Sequence, residues 1–234
     1  MDMFDEDTDF REGTVIPVDK ECDWTSFDVV KKIRSLLCRK YGYDKLKVGH
    51  AGTLDPLATG LVLVCTGKAT RQINNLVAAD KEYVAEIRLG ASTPSLDRET
   101  MVDGLYPTGH ISRDMVEKVL RAMTGEQWQK PPAYSAKWKE GRRAYEMARK
   151  GEDPDLEPAQ VTIIENELVS FGLPDLCVRI VCGKGTYIRS FARDFGKALN
   201  SGAYLLNLRR TRIGSYHVSD AMTIDGFQEK INFS

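Results

Sequence analysis

The sequence predicts an α+β protein with a mixed, largely antiparallel central sheet that is flanked by helices and loops. Segments with the two-residue alternation of strands and segments with the 3.6-residue periodicity of helices are interspersed along the chain. They do not follow the regular strand–helix–strand order of a doubly wound sheet. Two neighbouring segments, 161–171 and 176–181, look like a pair of strands joined by a short turn.

The N-terminal part is expected to contain three strands and one helix. The strands are Gly13–Val18, Leu61–Cys65 and Glu82–Leu89, the last of which alternates strictly. Thr25 or Ser26 can cap the helix, and Tyr41-Gly42 ends it. Its apolar stripe comprises Phe27, Val30, Ile33 and Leu37. Glycines punctuate Lys47–Gly60, which indicates a loop.

The C-terminal part is expected to contain three helices and a final strand. Ser112 caps the first helix, whose inward residues are Met115, Val119, Leu120 and Met123. A short helix covers Ala144–Lys150. The clearest amphipathic helix carries Ile188, Phe191, Ala192, Phe195 and Leu199 at helical spacing. Asn200-Ser201-Gly202 stops it, and Ala203–Ile213 returns as a strand.

Length and composition indicate one ordinary globular domain, residues 13–234, preceded by an acidic, flexible tail, residues 1–12. The chain contains no apolar run long enough to span a membrane, and its acidic start does not resemble a secretory signal. We therefore expect a cytoplasmic protein without membrane attachment. Five cysteines without a C-x-x-C pair and three scattered histidines predict no metal site.

The formal net charge of −1 conceals an uneven distribution. Residues 1–30 hold ten acidic and two basic side chains, whereas residues 130–150 and 179–212 are rich in Lys and Arg. Basic stripes of this kind suit a phosphate backbone. On charge alone, solvated helix faces explain them equally well.

The most unusual segment is Lys47–Gly67, which has four glycines, one histidine and one aspartate ahead of a buried strand. Pro56 restricts the backbone of Asp55 and so fixes its direction. Taken alone, Asp55 is also compatible with an ordinary turn-forming aspartate. A nucleotide-binding P-loop is excluded, because the glycine spacing before Gly67-Lys68 is wrong and Ala69 replaces the required hydroxyl.

Five motifs in order resemble the TruB/dyskerin family of pseudouridine synthases and cover roughly residues 13–215. The first, Gly49–Gly60 (GHAGTLDPLATG), resembles the family segment that contains the nucleophilic aspartate. The others are Lys81-Glu82-Tyr83, the segment Pro132–Ala136 followed by Gly141–Glu146, Gly185-Thr186-Tyr187-Ile188-Arg189, and Leu208-Arg209-Arg210. Their number and order favour a catalytic role for Asp55.

The resemblance implies a pseudouridine synthase catalytic fold and an isomerase that converts the T-loop uridine of tRNA, position 55 in tRNA numbering, to pseudouridine. Asp55 corresponds to the nucleophile, Arg189 to its cationic partner, and Tyr83 to the tyrosine that stacks on the flipped base. Tyr187 and Leu208 would line the same pocket, His50 would fill the space that the base vacates, and Arg71 would lie near the RNA. No cofactor or metal is implied.

The expected partner is tRNA, bound through its T-arm, and the enzyme is expected to act as a monomer without an obligatory protein partner. Five further basic residues are candidate phosphate contacts, each equally compatible with a solvated charge: Lys68, Arg142, Arg143, Arg209 and Arg210. The chain departs from the family pattern in two places. We expect it to lack a full C-terminal PUA domain, because about twenty residues follow the Leu-Arg-Arg strand, and Lys137-Trp138 follows the Tyr-Ser-Ala sequence.

Two alternatives stay open. The dyskerin branch modifies ribosomal RNA inside a guide-RNA particle, but its members depend on a PUA domain and basic tails. A tRNA-folding chaperone with secondary or lost catalysis belongs to another class. The presence of Asp55, Tyr83 and Arg189 argues against lost catalysis, although a chaperone role could coexist with it.

Overall fold

The computed structural model describes Phe4 and residues 8–233. Its backbone separates into two compact units. Unit 1 comprises the chain up to Glu82 and from Arg209 onward, and unit 2 comprises Tyr83–Leu208. Two strands, β4 and β12 below, contribute residues to both units.

The strands are β1 (Val15–Lys20), β2 (Val48–Ala51), β3 (Thr59–Thr66), β4 (Lys81–Leu89), β5 (Ala91–Ser92), β6 (Gly104–Leu105), β7 (Gly125–Gln129), β8 (Trp138–Lys139), β9 (Arg142–Arg143), β10 (Ala159–Gly172), β11 (Asp175–Cys182), β12 (Ala203–Ile213) and β13 (Tyr216–His217). The α-helices are α1 (Ser26–Tyr41), α2 (Ile73–Ala78), α3 (Arg113–Ala122), α4 (Ala144–Ala148), α5 (Ile188–Ala198) and α6 (Ile224–Phe233). Short 3₁₀-helices cover Gly67–Gln72 and Val218–Asp220. Within the described part of the chain, no helix combines the length and hydrophobicity that a membrane crossing requires.

The sheet of unit 1 is organised around β3, which is buried along almost its whole length. β1 pairs with one edge of β3 in antiparallel register, from Val15 opposite Cys65 to Lys20 opposite Gly60. On its other edge, β12 pairs parallel at Thr59 and Gly60, and β2 pairs antiparallel farther along, from Leu63 to Thr66. The segment that joins β2 to β3 therefore lies outside the sheet, and the chain returns to the sheet at Thr59, where β3 pairs with β12.

Helix α1 begins with a complete capping box, in which Thr25 and Asp28 exchange side-chain and backbone hydrogen bonds. It ends at Gly42, which adopts the left-handed conformation expected of a helix-terminating glycine. Val30, Ile33 and Leu37 are buried as predicted. The inclusion of Phe27 in the buried stripe was wrong, because this ring is 54% exposed and lies under the Lys31 ammonium.

The predicted tail of residues 1–12 lies partly outside the described residues. Within the described part, Phe10 is fully buried and packs against Tyr41, and Asp9 forms an ion pair with Arg11. The expected acidic tail thus contains a buried residue, Phe10, and the energy gained by burying its ring holds this stretch on unit 1.

Unit 2 contains a sheet with the order β12–β4–β11–β10–β7. β10 pairs antiparallel with β11 on one side and with β7 on the other, which confirms the predicted strand pair. β7 was not predicted, because its sequence Gly-Glu-Gln-Trp-Gln has a single apolar residue, and that residue, Trp128, is exposed. Together with the sheet of unit 1, this arrangement confirms the predicted α+β class.

Two helices of unit 2 show how well periodicity predicts burial. All five predicted inward residues around α5, from Ile188 to Leu199, are buried. For α3, Leu120 is buried as predicted, but Met115, Val119 and Met123 are only partly covered, and Val116 is the second buried residue. The α3 prediction was displaced by one position because large apolar residues occur on both sides of the true stripe.

Candidate active site

Asp55 lies in the loop of unit 1 between β2 and β3, which we call the aspartate loop (residues 52–58). The predicted loop Lys47–Gly60 was too long, because Val48–Ala51 forms strand β2 and Thr59 begins β3. Within the loop, the Ala58 amide donates to the Asp55 carbonyl at 3.1 Å, which closes a tight turn over Pro56. The Asp55 side chain is half-buried.

This turn is held by hydrogen bonds from Ser26, the first residue of α1, and from Lys20 and Asp23, which precede the helix. The buried Ser26 hydroxyl accepts a hydrogen bond from the Leu54 amide at 2.9 Å and donates to the Leu54 carbonyl at 3.1 Å. The Pro56 carbonyl accepts from the Lys20 ammonium at 3.1 Å and from the Asp23 amide at 2.9 Å. The main chain is thus fixed immediately before and immediately after Asp55.

Arg210 holds the beginning of the same loop. Its guanidinium is buried and donates to the main-chain carbonyls of Leu61 at 2.7 Å, Gly52 at 3.0 Å and Thr53 at 3.4 Å. The proposal of Arg210 as a phosphate contact was therefore wrong: the side chain faces the interior of unit 1 and is 1% exposed.

Two cations shape the electrostatics behind the aspartate loop. Burial lowers the pKa of Lys20 to about 8, and the charges of Cys22 and Asp55 oppose this shift. The carboxylate of Asp55 is therefore within electrostatic reach of the Lys20 ammonium. Burial, assisted by the charge of Arg210, lowers the pKa of His50, so the imidazole is neutral at pH 7.

His50 and Arg71 also belong to unit 1 but differ in environment. His50 lies on β2, two residues before the aspartate loop, and its Nδ1 is buried. Arg71 is exposed on the 3₁₀-helix that follows β3. His50 is thus adjacent in the chain to the loop that carries Asp55, whereas Arg71 lies on the solvent-facing surface of the same unit.

The other predicted catalytic residues lie in unit 2. Arg189 is in the first turn of α5 and is 5% exposed. Its Nη1 donates to the Ser95 carbonyl at 3.2 Å and lies 3.6 Å from Oδ2 of Asp97. This buried guanidinium is therefore oriented by a carbonyl and a carboxylate from the segment after β5. This burial excludes a solvent-exposed position for Arg189.

Three residues predicted to line the base pocket are also in unit 2. Tyr83 is buried on β4, and Leu208 is partly buried on β12. Tyr187 is half-buried at the N-terminus of α5, where its backbone exchanges two hydrogen bonds with the Gln129 side chain, at 2.8 and 3.1 Å. The Gln129 amide fixes the start of α5 and hence the position of the Tyr187-Ile188-Arg189 segment.

The remaining candidate phosphate contacts are occupied by other partners. Lys68 pairs with Glu12, Arg142 with Glu152, and Arg209 with Asp19. Arg143 stacks on the exposed Trp138 ring with its guanidinium carbon 4.2 Å from the ring centroid, on the small β8–β9 hairpin. Lys137-Trp138, which departs from the family pattern, thus places an aromatic ring on the surface of unit 2 rather than in a core.

Sequence reasoning missed three residues that support the candidate site: Ser26, Lys20 and Asp97. Ser26 was considered only as a helix cap, Lys20 follows a strand, and Asp97 occurs in a loop without an apolar pattern. Each acts through a buried polar contact with a residue distant in sequence, and no local signal reports such a contact. Across the described residues, no group of three or more His, Cys, Asp or Glu side chains is arranged to hold a metal ion.

Comparison with known proteins decides the family. Residues 39–188 match the model of the N-terminal domain of the TruB family of pseudouridylate synthases. The chain belongs to the TruB family. It is 52% identical over 220 residues to tRNA pseudouridine synthase B of Phocaeicola vulgatus, covering 94% of each chain. It is 51% identical over 227 residues to the Bacteroides thetaiotaomicron protein of the same name, covering 95% of each chain.

The solved structures similar to this TruB-family chain are larger. The chain matches a protein in the "Cbf5-Nop10-Gar1 Complex" at 29% identity with a TM-score of 0.69. It matches another in an "H/ACA RNP bound to a substrate RNA containing 2'-deoxyuridine" at 28% identity with a TM-score of 0.70. It spans 55% of the length of each of those chains. These likenesses agree with the predicted pseudouridine synthase fold.

Proposed function

We propose that this protein is a tRNA pseudouridine synthase that isomerises the T-loop uridine at tRNA position 55. One observation carries the proposal: relatives named tRNA pseudouridine synthase B are about half identical over nearly their whole length. The likeness to the H/ACA proteins is much weaker, at 29% identity or less. A stand-alone tRNA enzyme, acting in the cytoplasm as a monomer without an obligatory protein partner, is therefore favoured over a guide-dependent one.

The reaction rearranges one nucleotide without net oxidation or group addition. The N1–C1′ bond of uridine breaks, the uracil turns, and C5 bonds to C1′; the C5 proton then leaves to solvent and N1 takes up a proton, so the product is an isomer of uridine. We assign the nucleophile to Asp55, whose carboxylate would stabilise or attack the nucleotide while the base is detached. No step in this sequence needs a cofactor.

The contacts of the aspartate loop suit a nucleophile. Hydrogen bonds fix the main chain at Leu54 and at Pro56, on either side of Asp55. A carboxylate whose backbone is held this way loses little freedom when the substrate arrives, and effective orientation lowers the barrier to reaction. In this proposal the aspartate loop holds the Asp55 side chain in position before the substrate binds.

Arg189 is proposed as the cation that keeps this carboxylate ionised and oriented in the presence of RNA phosphates. A nearby opposite charge favours the ionised form, and a guanidinium adds directional hydrogen bonds. Arg189 suits the role because Asp97 and the Ser95 carbonyl already fix its orientation. Lysine could not supply the same planar set of donors.

Extrusion of the uridine from the T-loop costs a few kcal/mol of stacking and pairing energy, which the enzyme must offset. We assign stacking on the flipped base to Tyr83, and the walls of its pocket to Tyr187 and Leu208. A neutral His50 would fill the vacated space in the RNA, because an uncharged imidazole has a smaller desolvation penalty on stacking than an imidazolium. Arg71 is proposed to contact the RNA backbone.

The testing experiment uses unmodified tRNA carrying tritium at uridine C5, in EDTA and without added cofactor. Release of tritium measures turnover, with Asp55→Asn and a tRNA whose target uridine is replaced by cytidine as controls. We expect release that requires both Asp55 and the target uridine. Tight tRNA binding without release would favour a chaperone, and absence of both would indicate a different RNA or a guide particle.

A further inference from the structure

Arg210 is among the largest fully buried side chains in the described structure. Nε donates to Leu61, Nη2 to Gly52 and Nη1 to Thr53, in every case to a main-chain carbonyl. Gly52 and Thr53 begin the aspartate loop, and Leu61 lies three residues after its end. The guanidinium therefore connects the main chain at the start of the aspartate loop to the main chain of β3 just after the loop ends.

The backbone of Arg210 fixes the end of the same loop. Arg210 pairs with Gly60 in the parallel contact between β12 and β3. Gly60 has φ +103°, and a Cβ placed there would lie 2.3 Å from the Arg210 carbonyl oxygen. Side chain and backbone of one residue thus hold both ends of the segment that contains Asp55.

Burying a guanidinium at a strand position has a large desolvation cost. Within the part of the chain that the structure describes, the hydrogen-bond acceptors of Arg210 are neutral carbonyls, whereas the adjacent Arg209 pairs with the Asp19 carboxylate at 2.7 Å. Buried charges contribute little net stability, and an apolar residue of similar volume often packs as well. We therefore attribute to Arg210 a contribution to the geometry of the aspartate loop and not to the stability of the fold.

We infer that Arg210 is a positioning residue for the reaction: its three-carbonyl clamp sets the geometry in which the aspartate loop presents Asp55. The inference rests on the proposed function for the role of Asp55. The clamp requires a planar fork with several donors, which arginine has and lysine lacks. A clamp that acts through the loop should affect the chemical step more than the binding of tRNA.

The test is Arg210→Lys, which keeps the positive charge but cannot reach three carbonyls at once. We expect the single-turnover rate of tritium release to fall at least about ten-fold, because small errors in the placement of a reacting group cost on the order of 10²-fold. The dissociation constant for tRNA, measured by filter binding, should stay within about two-fold. In hydrogen exchange followed by mass spectrometry, amides of residues 52–60 should exchange faster, while those of 188–199 should not.

Arg88→Lys is the matched control. Arg88 makes a bidentate ion pair with Asp175 in unit 2, with both N–O distances 2.7 Å, and it has no part in the proposed machinery. This variant loses a comparable set of hydrogen bonds and should leave the single-turnover rate and the exchange of residues 52–60 unchanged. An equal loss of rate in Arg88→Lys would overturn the inference, because it would reflect general destabilisation.

The remaining outcomes are also decisive. A rate for Arg210→Lys within two-fold of the parent protein, or a rate loss matched by equally weakened tRNA binding, would overturn the positioning role. If the parent protein released no tritium, the proposed function would fail. Hydrogen exchange alone would then test whether Arg210 anchors the aspartate loop. Unchanged exchange of residues 52–60 would then refute it, and faster exchange would support the anchoring of the loop by Arg210.

Discussion

The carboxylate of Asp97 lies 3.6 Å from the guanidinium of Arg189, and the two side chains are only 12% and 6% exposed. The carboxylate also accepts from the Glu99 amide at 2.9 Å, so its own position is fixed by the loop it belongs to. Arg189 therefore enters any reaction with its orientation already set by a residue that the sequence did not single out.

Asp97→Asn should slow the reaction while leaving tRNA binding intact. Asparagine keeps the size of the side chain but removes the charge that faces Arg189 across 3.6 Å, so the buried guanidinium loses the ion-pair partner that orients it. We expect a fall of about ten- to a hundred-fold in single-turnover tritium release. Asp103→Asn, an exposed carboxylate in the same loop region, is the control. Equal rates in Asp97→Asn and the parent would remove Asp97 from the mechanism.

Gly60→Ala should be one of the most destabilising single-methyl substitutions in the chain. The new Cβ would meet the Arg210 main chain at 2.3 Å, in addition to the strain of a positive φ, which alone costs about 1–3 kcal/mol. Gly151→Ala is the matched control, because Gly151 has φ +78° but nothing within 4 Å of the added methyl group. Urea unfolding should show a clearly larger loss for Gly60→Ala; equal losses would mean that the contact with Arg210 relaxes without cost.

Ser26→Ala should reduce both stability and turnover. The change leaves the buried Leu54 amide without an acceptor, at a cost of about 1–3 kcal/mol, next to the residue proposed as the nucleophile. Ser112→Ala removes an exposed cap of α3, which should cost about 1 kcal/mol and leave turnover unchanged. Thermal unfolding and single-turnover assays of both variants test this difference. Normal turnover in Ser26→Ala would show that the hydroxyl does not help to position Asp55.

The buried Lys20 should make stability depend on pH in the alkaline range. Its pKa falls from 10.5 in the unfolded chain to about 8 in the folded protein because burial disfavours the ammonium. Between these values the unfolded state binds more protons, so the contribution of Lys20 to the free energy of unfolding rises with pH from about 8 to 10.5. Below pH 8 both states are protonated, and the full penalty is present.

Comparison of the parent with Lys20→Met isolates this effect. Subtracting the two profiles of unfolding free energy against pH removes contributions common to both proteins, including that of the buried Cys65 thiol, whose pKa burial raises to about 11. The free energy of unfolding of the parent, relative to that of Lys20→Met, should rise as the pH increases from about 8 to 10.5. A flat difference would show that Lys20 keeps its ordinary pKa.

Prediction from sequence succeeded where a short repeating pattern determines the structure. The apolar spacing of α5 and the alternation of β4 follow from local geometry, so their buried faces were predicted correctly. The N-cap of α1 was predicted as Thr25 or Ser26 for the same reason, and the structure has Thr25 in that position. The resemblance to a family supplied the site residues, because nothing in the spacing of Asp55 or Arg189 reveals chemistry.

The failures have a common physical origin. β2 is four residues long and has no apolar alternation, so it becomes a strand only because β3 is available as a partner. Phe27 has the right spacing but is 54% exposed, because the buried face of α1 passes through Ser26, Val29 and Val30 instead. Arg210 was assigned to the surface because arginine is seldom buried, and its interior role depends on carbonyls about 150 positions away in the sequence.

The aspartate loop is anchored largely through its main-chain carbonyl and amide groups, which depend little on the identity of the side chain. A saturation mutational scan should therefore show tolerance at the exposed Thr53 and the partly exposed Leu57, although both lie within two residues of Asp55. Intolerance should instead concentrate at Ser26 and Arg210, the residues that supply the donors, far from the loop in the chain. Directed evolution could therefore vary Thr53 and Leu57, provided that these two distant positions are left unchanged.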